Sequence, residues 1–583
     1  MKIWKKATAL LLLVCIILPL AVSCSGKEDA NQLVLFTAKG KRNYTVVRPE
    51  NGSGRVVDAA DRIGDTLKEK LGITVSVVSD GEQTGEKDAS NTRELLIGDT
   101  SRAESAEAKN ALGNSPYVIK AFENGKIAIV GADDVMTASA VHYFIKNCIE
   151  SSEGEKVVLA RDFSFSAEVS DQPISQYSDG ACRIRLAGMP IVYGADSDFT
   201  FMAGFAQAYA HRADLKCLDD STAPTPDYEI LLGKCARDEF VSAPETLLFR
   251  DFFISVKGNK ISVDAVSAYG FEAAFRFLDD ALTVGYADIP AEGLLVRYDY
   301  GDTQLGRLLE NYENPYIEGA RPVAVAHRGN YSSSSKDPEN SVAAYTACIN
   351  NNVDIIETDL RQTRDGYWVI CHDANLRRTT SGAAAYTNME ISAITLDKIR
   401  LLNLKQGEGG DSARETDQKM PTLDEIIALG KDRVMYNIDK TTSLETFKPV
   451  YDVFEQYGAV DSAMFKSGES AEVIAGWFAE LIEAGRKLPL FAPMIYVGDD
   501  DKPAVIRSFR GLTSMTETSA ELPDSPKLDV VLSAAKEANI RLMVLTIYSD
   551  LEGVALWKSY AAKGITGIMT NRASKFVGLY QKE

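Results

Sequence analysis

The chain has 583 residues, of which 45% are apolar and 25% charged, with a net charge of −20. Its length suggests two to four domains, and its apolar share is enough for sizeable cores. No long basic run follows the first residues, which argues against nucleic acid as a partner, since a phosphate backbone needs a Lys/Arg footprint.

At the start, Lys2, Lys5 and Lys6 precede an apolar stretch, Ala7 to Leu20, too short to span a bilayer comfortably. The following Ala21-Val22-Ser23-Cys24-Ser25-Gly26 resembles a bacterial lipoprotein cleavage site, although Ala21 stands where leucine is commonest. The rival reading is an ordinary secretory signal cut near Ser23. Residues 1–23 thus read as a signal peptide and Cys24 as the lipidation site. The mature protein is expected to be exported and anchored to the bacterial cell membrane on its periplasmic or extracellular side. Six further cysteines, among them Cys217 and Cys235, have no zinc-like spacing and read as small buried hydrophobes. Cys217 and Cys235 are close enough in sequence to pair.

Self-similarity organises the next 270 or so residues. Glu94-Leu-Leu-Ile-Gly98 recurs as Glu229-Ile-Leu-Leu-Gly233, and the run Tyr117–Val130 recurs as Phe252–Val263, about 135 residues later. Each run alternates apolar residues around an Asn/Gly turn, the pattern of a hairpin. A helical pattern follows each, over residues 138–145 and 271–278. Two related small α+β modules are therefore expected at 33–168 and 173–300. They resemble the small non-catalytic domains that precede catalytic barrels in some polysaccharide-degrading enzymes, and a glycan or another cell-surface ligand suits them. The polar stretch Asp299–Arg321 reads as a connector.

From residue 315 to 583 short β-type runs alternate with helical patterns, which predicts an α/β fold, a TIM (β/α)8 barrel. The candidate strands are Val323–Ala326, Asp354–Asp359, Tyr367–Cys371, Arg433–Ile438, Ala463–Phe465, Leu488–Ile495, Leu512–Glu517, Leu542–Ile547 and Gly567–Met569. Nine is one too many. Either Tyr367–Cys371 pairs locally or one run is not a barrel strand. Thr422 and Glu425 form a capping-box pattern, with Gly430 closing that helix.

The chain has only four histidines. His142 and His211 read as structural. His327 and His372 each follow an apolar strand directly, a position that faces the catalytic end of a parallel barrel. Between them stands Glu357-Thr-Asp359, whose spacing along a strand puts both carboxylates on one side, and a later strand ends in Asp439-Lys440. Clustered carboxylates repel one another unless a cation offsets them. Three oxygen donors completed by water suit a hard divalent ion, Ca2+ or Mg2+. Arg328 offers a bidentate fork to a phosphate and Lys440 a point charge, while two imidazoles allow acid and base work near neutral pH. Glu339 either touches this site or caps the helix that begins at Ser341.

Taken in order, His327-Arg328-Gly329, Pro338-Glu339-Asn340-Ser341, Glu357-Thr358-Asp359, Thr363-Arg364-Asp365-Gly366 and the run His372–Thr380 resemble the glycerophosphodiester phosphodiesterase family over about residues 322–583. Pro421-Thr422-Leu423 and Asn437-Ile438-Asp439-Lys440 fit as well. The resemblance implies a TIM barrel, a divalent metal on Glu357, Asp359 and Asp439, and acid–base catalysis by His327 and His372. It further implies that the substrate's own glycerol hydroxyl attacks phosphorus, giving a cyclic phosphate that water opens. Departures are the serine-rich loop 332–335, aspartate at 439 where many members have glutamate, and Asn571 where aspartate is usual. They bear on substrate preference, so a lysophospholipase D or a teichoic-acid or inositol phosphodiesterase stays open, as does a non-catalytic surface-binding protein.

Overall fold

The computed structural model describes residues 31–39, 43–81, 93–167, 172–176, 180–331, 336–495, 501–518, 522–548 and 552–580. The signal segment and Cys24 lie outside them. The chain divides into two compact units, Met1–Ser170 and Asp171–Glu583.

In the first unit a six-stranded sheet runs in the order Val77–Ser79, Thr45–Arg48, Glu94–Ile97, Ile127–Gly131, Tyr117–Ala121, Ser164–Ser166. Its first four strands are parallel, and the remaining two pair antiparallel. The second unit opens with a sheet of the same order and directions: Cys217–Asp219, Ile191–Tyr193, Glu229–Leu232, Lys260–Ala265, Phe252–Lys257, Leu294–Val296. Both hairpins expected from the repeats are present. The likeness extends to buried charge. Glu94 is held by Arg102 at 3.3 Å and Lys126 at 3.0 Å, and Glu229 by Arg237 at 3.0 Å and Lys260 at 3.0 Å. Cys217 and Cys235 are free thiols, so the pairing considered above is not formed.

The rest of the second unit is a closed barrel of eight parallel strands: β1 (Val323–Ala326), β2 (Ile355–Gln362), β3 (Met435–Asp439), β4 (Ala463–Ser467), β5 (Leu490–Ile495), β6 (Met515–Thr518), β7 (Arg541–Leu545) and β8 (Gly567–Thr570). Pairing of β1 with both β8 and β2 closes the ring. The ninth candidate run resolves as a local hairpin, with Trp368–Ile370 antiparallel to the far end of β2. The strands are buried nearly throughout, as expected for strands enclosed by helices.

Two expectations need correction. Asp299–Arg321 is more than a connector, because it contains the helix Gln304–Glu313, which buries Leu305, Leu308, Leu309 and Tyr312. That i, i+3, i+4, i+7 stripe was hidden by polar neighbours. The capping box at Thr422 is formed and its helix ends at Gly430, but Gly430 is not among the residues with a left-handed backbone. Glycine is required there by close approach: a Cβ would stand 2.1 Å from the Tyr436 hydroxyl.

The second module docks on the barrel through helix Met202–Arg212 against helix Ala471–Glu483. Buried Arg250 reaches Glu313 at 2.6 Å and Asp461 at 3.1 Å. Tyr269 donates to the Pro489 carbonyl at 2.8 Å, and the Ala268 amide to that of Gly511 at 2.8 Å. Asp461, Pro489 and Gly511 precede β4, β5 and β6, so this module sits at the N-terminal end of the barrel.

Candidate active site

At the opposite end the strands' C-termini converge on a cavity of about 510 Å³. His327, Arg328 and Glu357 line it together with His372, Asp439 and Lys440. These are all the predicted site residues apart from Asp359, which is buried beneath, and Cys24. His142 and His211 are not among the lining residues.

The turn after β1 positions the first group. Arg328 and Gly329 both adopt positive φ, 55° and 89°, and a Cβ on Gly329 would come within 2.9 Å of the Tyr345 ring, so glycine alone fits there. This turn aims the Arg328 amide at Glu357 Oε2, 3.0 Å away. The guanidinium lies 3.1 Å from Glu339 and 3.5 Å from Asp359. Glu339 also binds Arg378 at 2.6 Å. The helix cap is made by Ser341, whose hydroxyl accepts from the Ala344 amide, so of the two readings of Glu339 the site contact holds.

Strand alternation places Glu357 and Asp359 on one face of β2, and Asp439 stands beside them in register on β3. Oxygens of the three approach within 4.8 Å of one another. Asn340 donates to Asp359 Oδ2 at 2.8 Å, while Asp359 Oδ1 is buried without a hydrogen-bond partner. The nearest cation to it is the Lys440 ammonium at 3.7 Å, beyond hydrogen-bond reach, and three such carboxylates close together fit a metal ion. Burial, and next Asp359, push the Glu357 carboxyl well above its usual range. Burial acts in the same direction on Asp439, but Lys466 and Lys440 outweigh it and hold that carboxyl below its usual range.

The histidines differ in their partners. His327 Nδ1 lies 2.8 Å from the neutral Asn571 Oδ1. Burial, followed by Arg328, pulls this imidazole down to about 4. His372 Nδ1 lies 2.8 Å from Asp373 Oδ1. Asp373 is bridged in turn to Arg378 at 2.8 Å, whose hydrogen bonds, with His372 adding to them, hold its carboxyl down to about 2.

Sequence reasoning missed two residues on the cavity floor, Lys466 on β4 and Glu517 on β6. Lys466 Nζ lies 3.3 Å from Asp439, 3.5 Å from Glu517 and 3.8 Å from Glu357. These carboxylates outweigh burial and raise its pKa above the lysine range. Neither residue belongs to a local motif. The available signal was position: Lys466 directly follows the expected strand Ala463–Phe465, and Glu517 ends the expected strand Leu512–Glu517. Met494, Ile495, Leu545, Ile547, Tyr548 and Met569 line the same cavity and give it apolar surface.

A (β/α)8 barrel with imidazoles, cationic donors and a carboxylate trio at its C-terminal face defines a candidate hydrolase of the metal-and-phosphate type. Residues 327–575 match the model of the Glycerophosphoryl diester phosphodiesterase family. The chain is 37% identical over 117 residues to "Probable glycerophosphodiester phosphodiesterase 1" of Mycobacterium tuberculosis, a match covering 19% of this chain and 39% of that protein. It is 32% identical over 115 residues to the glycerophosphodiester phosphodiesterase of Caldanaerobacter subterraneus, covering 19% and 42%. The chain thus spans about two fifths of the length of these curated relatives. A solved glycerophosphoryl diester phosphodiesterase from Parabacteroides distasonis aligns at 19% identity with a TM-score of 0.39, over 48% of this chain and 92% of that one.

Proposed function

We propose that the barrel is a metal-dependent phosphodiesterase that cleaves glycerophosphodiesters to sn-glycerol 3-phosphate and an alcohol. The observation that carries this reading is the convergence of both imidazoles on one cavity beside the Glu357–Asp359–Asp439 trio, in a region that matches the model of a phosphodiesterase family. Glu357, Asp359 and Asp439 would hold one divalent cation, Ca2+ or Mg2+, which when bound supplies Lewis-acid polarisation of a phosphoryl oxygen. Arg328 and Lys440 provide positive charge to orient the phosphate.

His327, with Nδ1–H directed at Asn571, keeps Nε2 free to take the proton from the attacking glycerol hydroxyl. As that oxygen bonds to phosphorus, the bond to the leaving alcohol breaks, and His372 gives the departing oxygen its proton. The Asp373 carboxylate holds the His372 ring through Nδ1, which leaves Nε2 as the proton donor. Water then opens the cyclic phosphate with the two roles reversed. We further propose that the chain works at the outer face of the bacterial membrane, tethered through Cys24.

The apolar part of the lining supports a second reading. Choline or ethanolamine would leave Leu545, Ile547 and Met569 uncovered, whereas an acyl or alkyl chain would bury them, so a lysophospholipid is the competing substrate. The test is to assay glycerophosphocholine, glycerophosphoethanolamine and lysophosphatidylcholine with Ca2+ or Mg2+ and with excess chelator. Turnover that disappears on chelation and returns with the ion is expected. Full activity in chelator would remove the metal from the mechanism, and inertness toward all three diesters would overturn the phosphodiesterase reading.

A further inference from the structure

Resting on the phosphodiesterase reading, we infer that Lys466 is a phosphate-binding residue of this cavity and that Glu517 is the positioning residue that aims it. Lys466 is 3% exposed, on β4, the strand next to the one that carries Asp439. An ammonium loses its hydration on burial, and a surface lysine would avoid that cost. Its three donors face Asp439, Glu517 and Glu357 at 3.3, 3.5 and 3.8 Å, beyond the 2.7–2.9 Å typical of a closed charge-assisted bond. The ammonium is therefore held by charge from several sides without being sealed into one ion pair, and it still reaches the cavity.

Charge explains why such a group is placed there. Besides His372, which is paired with the Asp373 carboxylate, the ionic residues lining the cavity are the carboxylates Glu357, Asp439 and Glu517 and the cations Arg328, Lys440 and Lys466. Their charges balance, and Asp359 beneath adds one negative charge. A divalent ion on the trio then leaves one net positive charge, matching the single negative charge of a phosphodiester. Without Lys466 the loaded cavity would be neutral and would hold an anion far less well. Glu517 is outside the trio, and among the described residues it is the one carboxylate within 4 Å of Lys466 that does not belong to it. Its role is to keep the ammonium at the floor when the trio is committed to an ion.

The full-length protein with Lys466→Met keeps the buried stem and loses the charge. Two titrations by calorimetry test the assignment: Ca2+ alone, then sn-glycerol 3-phosphate into the Ca2+-loaded protein. Ca2+ affinity should stay the same or rise, because a like charge leaves the site, while sn-glycerol 3-phosphate should bind roughly ten- to hundredfold more weakly, the usual worth of a hydrogen bond to a charged group. Lys466→Arg should recover part of that loss, and it serves as the folded comparison if the methionine variant melts early. Glu517→Gln should weaken sn-glycerol 3-phosphate binding less than Lys466→Met does and leave Ca2+ binding near wild type. If Lys466→Met binds sn-glycerol 3-phosphate as well as wild type does while Ca2+ binding tightens or stays the same, Lys466 only opposes the ion and the inference is overturned. If the Ca2+-loaded wild-type protein ignores sn-glycerol 3-phosphate, it is the phosphodiesterase reading itself that fails.

Discussion

His327 faces a neutral amide and His372 faces a carboxylate, each at 2.8 Å through Nδ1. The amide oxygen fixes the His327 tautomer without favouring the charged ring. With burial and then Arg328 acting on it, His327 has a folded pKa of about 4, below its ordinary 6.5. It therefore stays neutral, and ready to accept a proton, well into the acid range. Two outcomes follow for proton transfer worth roughly 10²–10⁴-fold. His327→Ala and His372→Ala should each cut turnover by about that factor. The acid limb of the pH–rate profile should lie below 6.5 and vanish in His327→Ala. Asn571→Asp places a carboxylate at Nδ1, raises the imidazole pKa and should move the acid limb upward toward neutral pH. An unmoved limb would show that Asn571 does not govern His327.

At the level of single elements, what was legible in the sequence is what one strand or turn writes by itself. Glu357 and Asp359 share a face because β2 alternates, and His327 and His372 end apolar runs, so the chain carries their placement locally. Lys466, Glu517 and Asn571 belong to β4, β6 and the turn after β8. Lys466 and Glu517 carry no short motif, Asn571 showed only as a departure from the family pattern, and only closure of the ring brings the three to the site. Helix Gln304–Glu313 was missed because a polar composition concealed its apolar stripe. Gly430 shows a subtler gap, since a helix-ending glycine suggests a left-handed cap while the Tyr436 hydroxyl, which donates to the Ile426 carbonyl, is what excludes a side chain. Gly430→Ala should then destabilise the protein by about 1–3 kcal/mol, the cost of overpacking a filled core, as read by denaturant unfolding. Gly430→Ala combined with Tyr436→Phe should recover part of it. A stability loss no larger than a few tenths would mean that the strand and helix separate easily there.

Across the whole second unit, charge is buried on both ends of the barrel but for different ends. At the C-terminal end it is left incompletely paired and faces the cavity. At the N-terminal end Arg250 is closed off: it is 2% exposed, bound to Glu313 and Asp461 and flanked by Tyr298 and Tyr269. Glu313 is fully buried and receives the Tyr300 hydroxyl at 2.8 Å. Removing Arg250 strands that carboxylate, so Arg250→Met should cost about 3–5 kcal/mol of unfolding free energy. Replacing both partners, Arg250→Met with Glu313→Leu, should be less damaging than Arg250→Met alone, because no buried charge is left unpaired. Catalysis should respond differently from stability. The clamp lies before β4, and a five-residue strand separates it from the cavity by roughly 15 Å at about 3.3 Å per residue. Turnover per folded molecule in Arg250→Met should therefore match wild type, as judged by activity normalised to the folded fraction. A drop in normalised turnover would mean that docking of the module shapes the cavity through the strands.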